Sequence, residues 1–257
     1  MNPLLIHQFY TFLLVSARVG GLMTAAPLFN NKAVPKQVRA GFILIFALAL
    51  TPLIETHTGP IPNNLLLLVA GVFKDALFGL AVGFLASLLF ASVQMAGYFI
   101  DTQMGFGFIN LINPFSEQQS SPLSAFEYQL AITLYLLANG HLVLLGSLAR
   151  SFDAVPAGAV ALPAEIGLSI APMLTEMFTL GLRMALPAIG VMLLIDVAFG
   201  LISRMVPQVN IFVVGMPAKI IMGLTTVTML LPYTAYFVGD IIGGTSDNLF
   251  HLVTLGR

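Results

Sequence analysis

The sequence predicts an all-α membrane protein of kinked helical hairpins. Three observations carry this. Of 257 residues, 58% are apolar; 10 basic and 11 acidic residues are all the charge there is; and the apolar residues fall in continuous runs rather than alternating ones. Soluble domains run about 45–50% apolar and about 25% charged, enough charge to cover a core with hydrated surface. A chain that is 8% charged with mean hydropathy +0.96 lacks that cover. In lipid only helices and closed barrels satisfy the backbone, and unbroken apolar runs select helices. A net charge of −1 offers no basic footprint for nucleic acid. The absence of Cys excludes disulfides and thiolate-bound metals. His7, His57, His141 and His251 lie far apart, so no metal or other cofactor is expected. No H-E-x-x-H, G-x-S-x-G, P-loop or kinase motif occurs, so enzyme function is not expected.

About 20 apolar residues cross a hydrocarbon core of about 30 Å. Six segments fit by length or nearly so: residues 3–27, 38–53, 64–100, 123–149, 166–204 and 209–242. The first has no basic residue before Arg18 and its apolar stretch is too long for a cleavable signal, so it reads as a retained membrane helix. The second is short. The third carries Lys74 and Asp75, the fifth Glu176, Arg183 and Asp196, and the sixth Lys219 and Asp240. Residues 30–39 hold Lys32, Lys36 and Arg39 beside Pro35, which places this loop in the cytoplasm and the N-terminus outside. Residues 55–62 lack Lys and Arg, as the opposite side requires. Residues 101–122 are rich in Gly, Asn, Ser, Gln and Pro and cannot span. A Pro/Gly/Ala-rich linker at 152–163 suggests a boundary between a unit at 1–160 and a second at 161–257.

Pro172, Pro187, Pro207, Pro217 and Pro232 sit within or between apolar runs, and an interior Pro removes a backbone donor and kinks its helix. A charge at a helix centre costs about 2.5–3.5 kcal/mol on insertion scales and usually faces protein or water. Helices built this way are suited to burial against other protein.

Four features are candidates for function. Gly79, Gly83, Ser87 and Ala91 recur every four residues, a small-residue stripe that fits packing inside this chain and packing on another subunit equally. Gln103, Met104, Gly105, Phe106, Gly107, Phe108 and Asn110 combine flexible glycines with adaptable Met and Phe, in a loop that could fill a pore or fold back as an ordinary external connection. His141 follows Asn139-Gly140 in an apolar run, with no acidic residue one turn away, which favours packing over proton relay. Asp196 and Arg204 are two turns apart on one face, too far for contact, so each needs another partner.

The residues resemble the FliR family of flagellar biosynthetic proteins and its virulence-secretion relatives, from the export gate of type III secretion. The resemblance runs over most of the chain. It rests on Arg18-Val19-Gly20-Gly21-Leu22, Ala26-Pro27-Leu28-Phe29 and Val34-Pro35; on Val93-Gln94-Met95-Ala96-Gly97, Gln103-Met104-Gly105 and Asn113-Pro114; and on Asn139-Gly140-His141 with Ser151-Phe152 and Pro156. Its strongest stretch is Gly200-Leu201-Ile202-Ser203-Arg204-Met205-Val206-Pro207-Gln208-Val209-Asn210-Ile211-Phe212, continuing through Gly215, Pro217 and Lys219 to Gly223. One departure is Asn113-Pro114, where Asp-Pro is common in the family.

The resemblance implies a non-enzymatic subunit of the bacterial inner membrane and flagellar basal body. It implies one copy in a hetero-oligomer with FliP and FliQ, with FlhB and FlhA nearby, passing unfolded flagellar subunits. It implies a FliP-like part at 1–160 and a FliQ-like hairpin at 161–257. The loop at about 101–122, with Gln103 through Asn113 and Pro114 as its named residues, then becomes a plug of the pore. Arg18, His141, Asp196, Arg204, Pro207, Gln208, Asn210 and Lys219 become assembly residues. A virulence injectisome is the alternative setting. A proton-coupled small-solute transporter is the alternative class, since broken helices with midplane charges are its mark, although no repeat relates the two halves.

Overall fold

The computed structural model describes residues 3–30, 34–54, 58–59, 61–62, 64–106, 121–159, 165–208 and 210–255, and these are helical with short turns and no strand among them. The helices are α1 (Pro3–Ala25), α2 (Lys36–Ile54), α3 (Leu65–Met104), α4 (Pro122–Leu137), α5 (Gly140–Ala154), α6 (Glu165–Met205) and α7 (Ile211–Leu255). The chain forms two compact units. One comprises Met1–Leu88, Tyr135–Met173 and Ile241–Arg257; the other comprises Leu89–Leu134 and Leu174–Asp240.

In the first unit α1 is the central helix. From Tyr10 to Met23 none of its residues is exposed. Leu14, Val15, Val19 and Leu22 are fully buried against Ala47 and Leu50 of α2, Phe78 and Val82 of α3, and Leu144 and Leu148 of α5. Along α3, Asp75, Phe78, Gly79, Val82, Gly83 and Ala86 face inward at intervals of three and four, the spacing of one helix face. Asn64 starts that helix: its side-chain oxygen accepts from the Leu66 N–H at 2.9 Å, and its carbonyl accepts from Leu68 at 3.1 Å. α2 leaves Ile45, Leu48 and Leu53 at 65–72% exposure on its outer side.

In the second unit the same periodicity recurs. Val93, Ala96, Gly97, Ile100 and Met104 of α3 are buried, as are Gly181, Met184, Ala185, Ala188 and Met192 of α6 and Gly223, Val227, Thr234 and Val238 of α7. Small residues set the distances. A Cβ on Gly97 would lie 2.6 Å from Ser124 Cα, and one on Gly181 would lie 2.7 Å from the Ser92 carbonyl oxygen.

By length and apolarity α2, α3, Ala171–Met205 of α6 and Val213–Gly239 of α7 can each cross a membrane, and the pair α4–α5 makes a fifth if counted as one bent span. Half of the α3 span is buried inside the chain, against 17% for α6 and α7. The latter two therefore present most of their apolar surface outward.

Three boundaries differ from the sequence reading. The run at 123–149 is two helices with a 68° bend. The break is at Asn139, whose φ of 57° is left-handed, while Gly140 is pressed against the Tyr135 ring. The run ending at 100 continues helically to Met104, because Ile100 and Met104 still face the core. The last run extends beyond 242 to Leu255.

Candidate functional site

Arg18 is fully buried on the central helix, where a guanidinium has five donors to satisfy and no water. Its Nε–H donates to Asp75 Oδ1 at 2.7 Å, and Nη1 donates to Ser151 Oγ at 3.2 Å and to the Val155 carbonyl at 3.0 Å. Nη2 lies 2.5 Å from the same Asp75 oxygen, an ion contact rather than an aligned hydrogen bond. The second Asp75 oxygen accepts from the Gly158 N–H at 2.8 Å. Phe152 and Phe78 cover the two sides of the cation, at 4.0 and 4.8 Å from their ring centroids. One charge pair thus ties α1, α3, α5 and the turn after α5 together. The sequence reading makes Arg18 an assembly residue; the structure shows it engaged inside the chain.

The small-residue stripe lies beside this network. Gly79 abuts the Arg18 backbone, and a Cβ on Gly83 would stand 2.6 Å from the Leu22 carbonyl oxygen. Of the two alternatives, packing within the chain holds for these glycines. Ser87 and Ala91 are half-buried, and the Ser87 hydroxyl donates to the Phe84 carbonyl at 2.6 Å.

A second polar centre sits where α3 ends and α4 begins. Asp101 is buried and accepts from the Ser121 hydroxyl and from the N–H groups of Leu123 and Ser124, at 3.0 and 3.1 Å to Oδ2. A carboxylate from α3 therefore caps α4, satisfying donors a helix start leaves open. Ser124 donates in return to the Gln94 carbonyl at 2.9 Å. Glu127, one turn into α4, is also buried, and its Oε2 has no hydrogen-bond partner among the described residues. Asp101→Ala is expected to lower the thermal midpoint of the solubilised chain, by a cap-sized loss of about 1–2 kcal/mol. Asp101→Asn keeps one acceptor and loses less; an unchanged midpoint in Asp101→Ala would contradict the cap.

Of the loop candidates, Gln103 and Met104 are the last residues of α3, not loop. Met104 is fully buried, and its side chain lies over Gly223 of α7, where a Cβ would meet it at 2.6 Å. Gly105 and Phe106 turn the chain out of the helix: Gly105 has φ 92°, and Phe106 N–H donates to the Asp101 carbonyl at 3.1 Å. Gly107, Phe108, Asn110, Asn113 and Pro114 lie outside the described residues.

The remaining candidates are spread out. Asp196 pairs with Lys219 across α6 and α7. Arg204, Pro207 and Gln208 are exposed at the α6–α7 connection, and the Asn210 carbonyl accepts from Val213 and Val214 at 3.1 and 3.3 Å, starting α7. His141 is half-buried, and its Nδ1 has no hydrogen-bond partner among the described residues. Asp75, Asp101, Glu127 and Ser151 are polar residues that the sequence reading does not make site residues; for Asp75 and Glu127 the available signal is a charge inside an apolar run. No group of three His, Asp or Glu suited to a metal gathers among the described residues.

Residues 9–245 match the model of a family described as bacterial export proteins, family 1. The flagellar biosynthetic protein FliR of Bacillus subtilis is 32% identical over 99% of this chain and 98% of its own length. FliR of Escherichia coli is 33% identical over 86% of this chain and 84% of its own, and FliR of Aquifex aeolicus is 28% identical over 90% of both. With one buried charge pair fastening the first of two units of apolar helices and this match over nearly its whole length, the chain belongs to the bacterial export proteins of family 1, the family of the flagellar biosynthetic protein FliR.

Proposed function

We propose that the chain is a structural, non-enzymatic subunit of the flagellar type III export gate, lining part of the pore through which unfolded flagellar subunits leave the cell. In this reading it sits in one copy with FliP and FliQ in the bacterial inner membrane at the flagellar basal body, near FlhB and FlhA. Residues 1–160 act as a FliP-like unit and 161–257 as a FliQ-like hairpin. The observation that carries the reading is the family match across residues 9–245. The relatives named above are flagellar, which favours this setting over a virulence injectisome. The outward apolar surface of α6 and α7 supports a place among other proteins.

The segment that follows Met104, up to about residue 122, acts as the plug, on a base fixed by Asp101 and by Met104 over Gly223. Deleting residues 107–120 is expected to raise ion leakage through the assembled complex several-fold while the complex still forms. Unchanged leakage in a complex of normal composition defeats the plug role. Solute-dependent flux into vesicles by the purified chain alone would defeat the gate reading in favour of a proton-coupled transporter.

A further inference from the structure

α6 has two faces of different character. Gly181, Met184, Ala185, Ala188 and Met192 turn inward and are buried. On the opposite side Glu176, Arg183, Gly190, Val197 and Arg204 recur every seven residues, and all five are exposed. Leu186, Leu193, Leu194 and Leu201 flank that stripe at 52–72% exposure. A repeat of seven keeps a stripe in register with a second helix coiling around the first.

Two features of the stripe are out of place against lipid. Arg183 is exposed and makes no hydrogen bond or ion pair among the described residues, and no stretch of about 20 residues along Ala171–Met205, the length a bilayer core takes, avoids both Arg183 and Asp196. Asp196 is paired with Lys219; Arg183 has no counter-charge among the described residues. Gly190, seven residues on, has nothing within 4 Å of where a Cβ would stand. A glycine in mid-helix weakens the helix without helping this chain to pack, whereas between membrane helices it lets two backbones approach.

We infer that this face of α6 seats a membrane helix of a different subunit, crossing close at Gly190 and presenting a carboxylate to Arg183. For a crossing at Gly190 charge selects this occupant, since a second copy displaced to set Glu176 against Arg183 leaves Gly190 away from the crossing. A parallel second copy sets Arg183 against Arg183, and an antiparallel one centred on Gly190 sets it against Val197. Acyl chains supply no counter-charge. The inference rests on the export-gate reading and names the surface of that assembly and the chemistry of its partner.

The test uses the full chain co-expressed with FliP and FliQ. Gly190→Leu fills open space, keeps the helix and adds apolar surface, so the chain itself should accumulate in the membrane as wild type does. The complex recovered with it is expected to fall about tenfold or more, as for a lost helix–helix contact of about 1.4 kcal/mol. Arg183→Glu should fall similarly and Arg183→Lys should largely keep the complex. Because the chain has no Cys, Gly190→Cys provides a unique thiol, expected to be shielded from a lipid-soluble maleimide in the complex and labelled in the chain alone. Wild-type yields from both Gly190→Leu and Arg183→Glu, with equal labelling, overturn the inference while leaving the gate reading intact. If the wild-type chain recovers neither subunit, the gate reading fails and this inference with it.

Discussion

Replacing Arg18 by Met is expected to destabilise the chain by about 3–5 kcal/mol, the usual result of removing one member of a buried ion pair. The substitution conserves bulk between Phe78 and Phe152, so little of the loss comes from a cavity. The loss arises because Asp75, fully buried, keeps only the Gly158 N–H as a donor among the described residues, while the Ser151 Oγ and the Val155 carbonyl lose the one Arg18 supplies. Arg18→Lys should recover only part of the difference, since an ammonium is a point charge and cannot replace the planar fork that reaches Asp75, Ser151 and Val155 at once. The double change Arg18→Met with Asp75→Leu should recover much of it, because no charge then remains buried without a partner. Thermal midpoints of the detergent-solubilised chain decide this. A double variant no better than Arg18→Met alone would show that the pair acts through shape rather than charge.

Gly79→Val should cost about 3 kcal/mol or more, at or beyond the upper end for overpacked cores. A Cβ there would stand 2.7 Å from the Arg18 carbonyl carbon and 3.1 Å from Arg18 Cα. These are backbone atoms and cannot rotate away. Gly21 meets α3 in the same manner from the other side, with a Cβ 2.7 Å from the Leu80 nitrogen, so α1 and α3 touch backbone to backbone. Separating them would also pull Arg18 from Asp75. Gly146→Ala is the matched control, because nothing lies within 4 Å of that position. It should be neutral or stabilising by up to about 1 kcal/mol, from helix propensity alone. Equal effects at the two glycines, measured by the same thermal midpoint, would refute close approach as the reason for Gly79.

The helices were legible because their signal is local: an unbroken apolar run names a membrane helix whatever it packs against. The bend at Asn139 was harder. Asn-Gly is a turn signal, but the apolar residues on both sides conceal it, and only the left-handed φ of 57° exposes it. The glycine stripe could be seen in sequence; its partner could not, since spacing marks a face and not what meets it. Charge pairing is the least local feature. Arg18 and Asp75 are 57 positions apart, and Asp101 finds its donors 20 to 23 positions on. Asp196 and Lys219, both visible as charges in apolar runs, become a pair only when α6 and α7 fold together.

The reach of the Arg18 network has a consequence for biosynthesis. Its last acceptor, the Val155 carbonyl, is made 137 positions after the guanidinium itself. At about 5–20 residues per second the ribosome needs on the order of 10 s to supply it. Through that interval the newborn first helix holds a cation whose final companions do not yet exist. The fastening of this unit must wait for late translation, and a pause before the fifth helix emerges would prolong the most vulnerable stage of the chain's life.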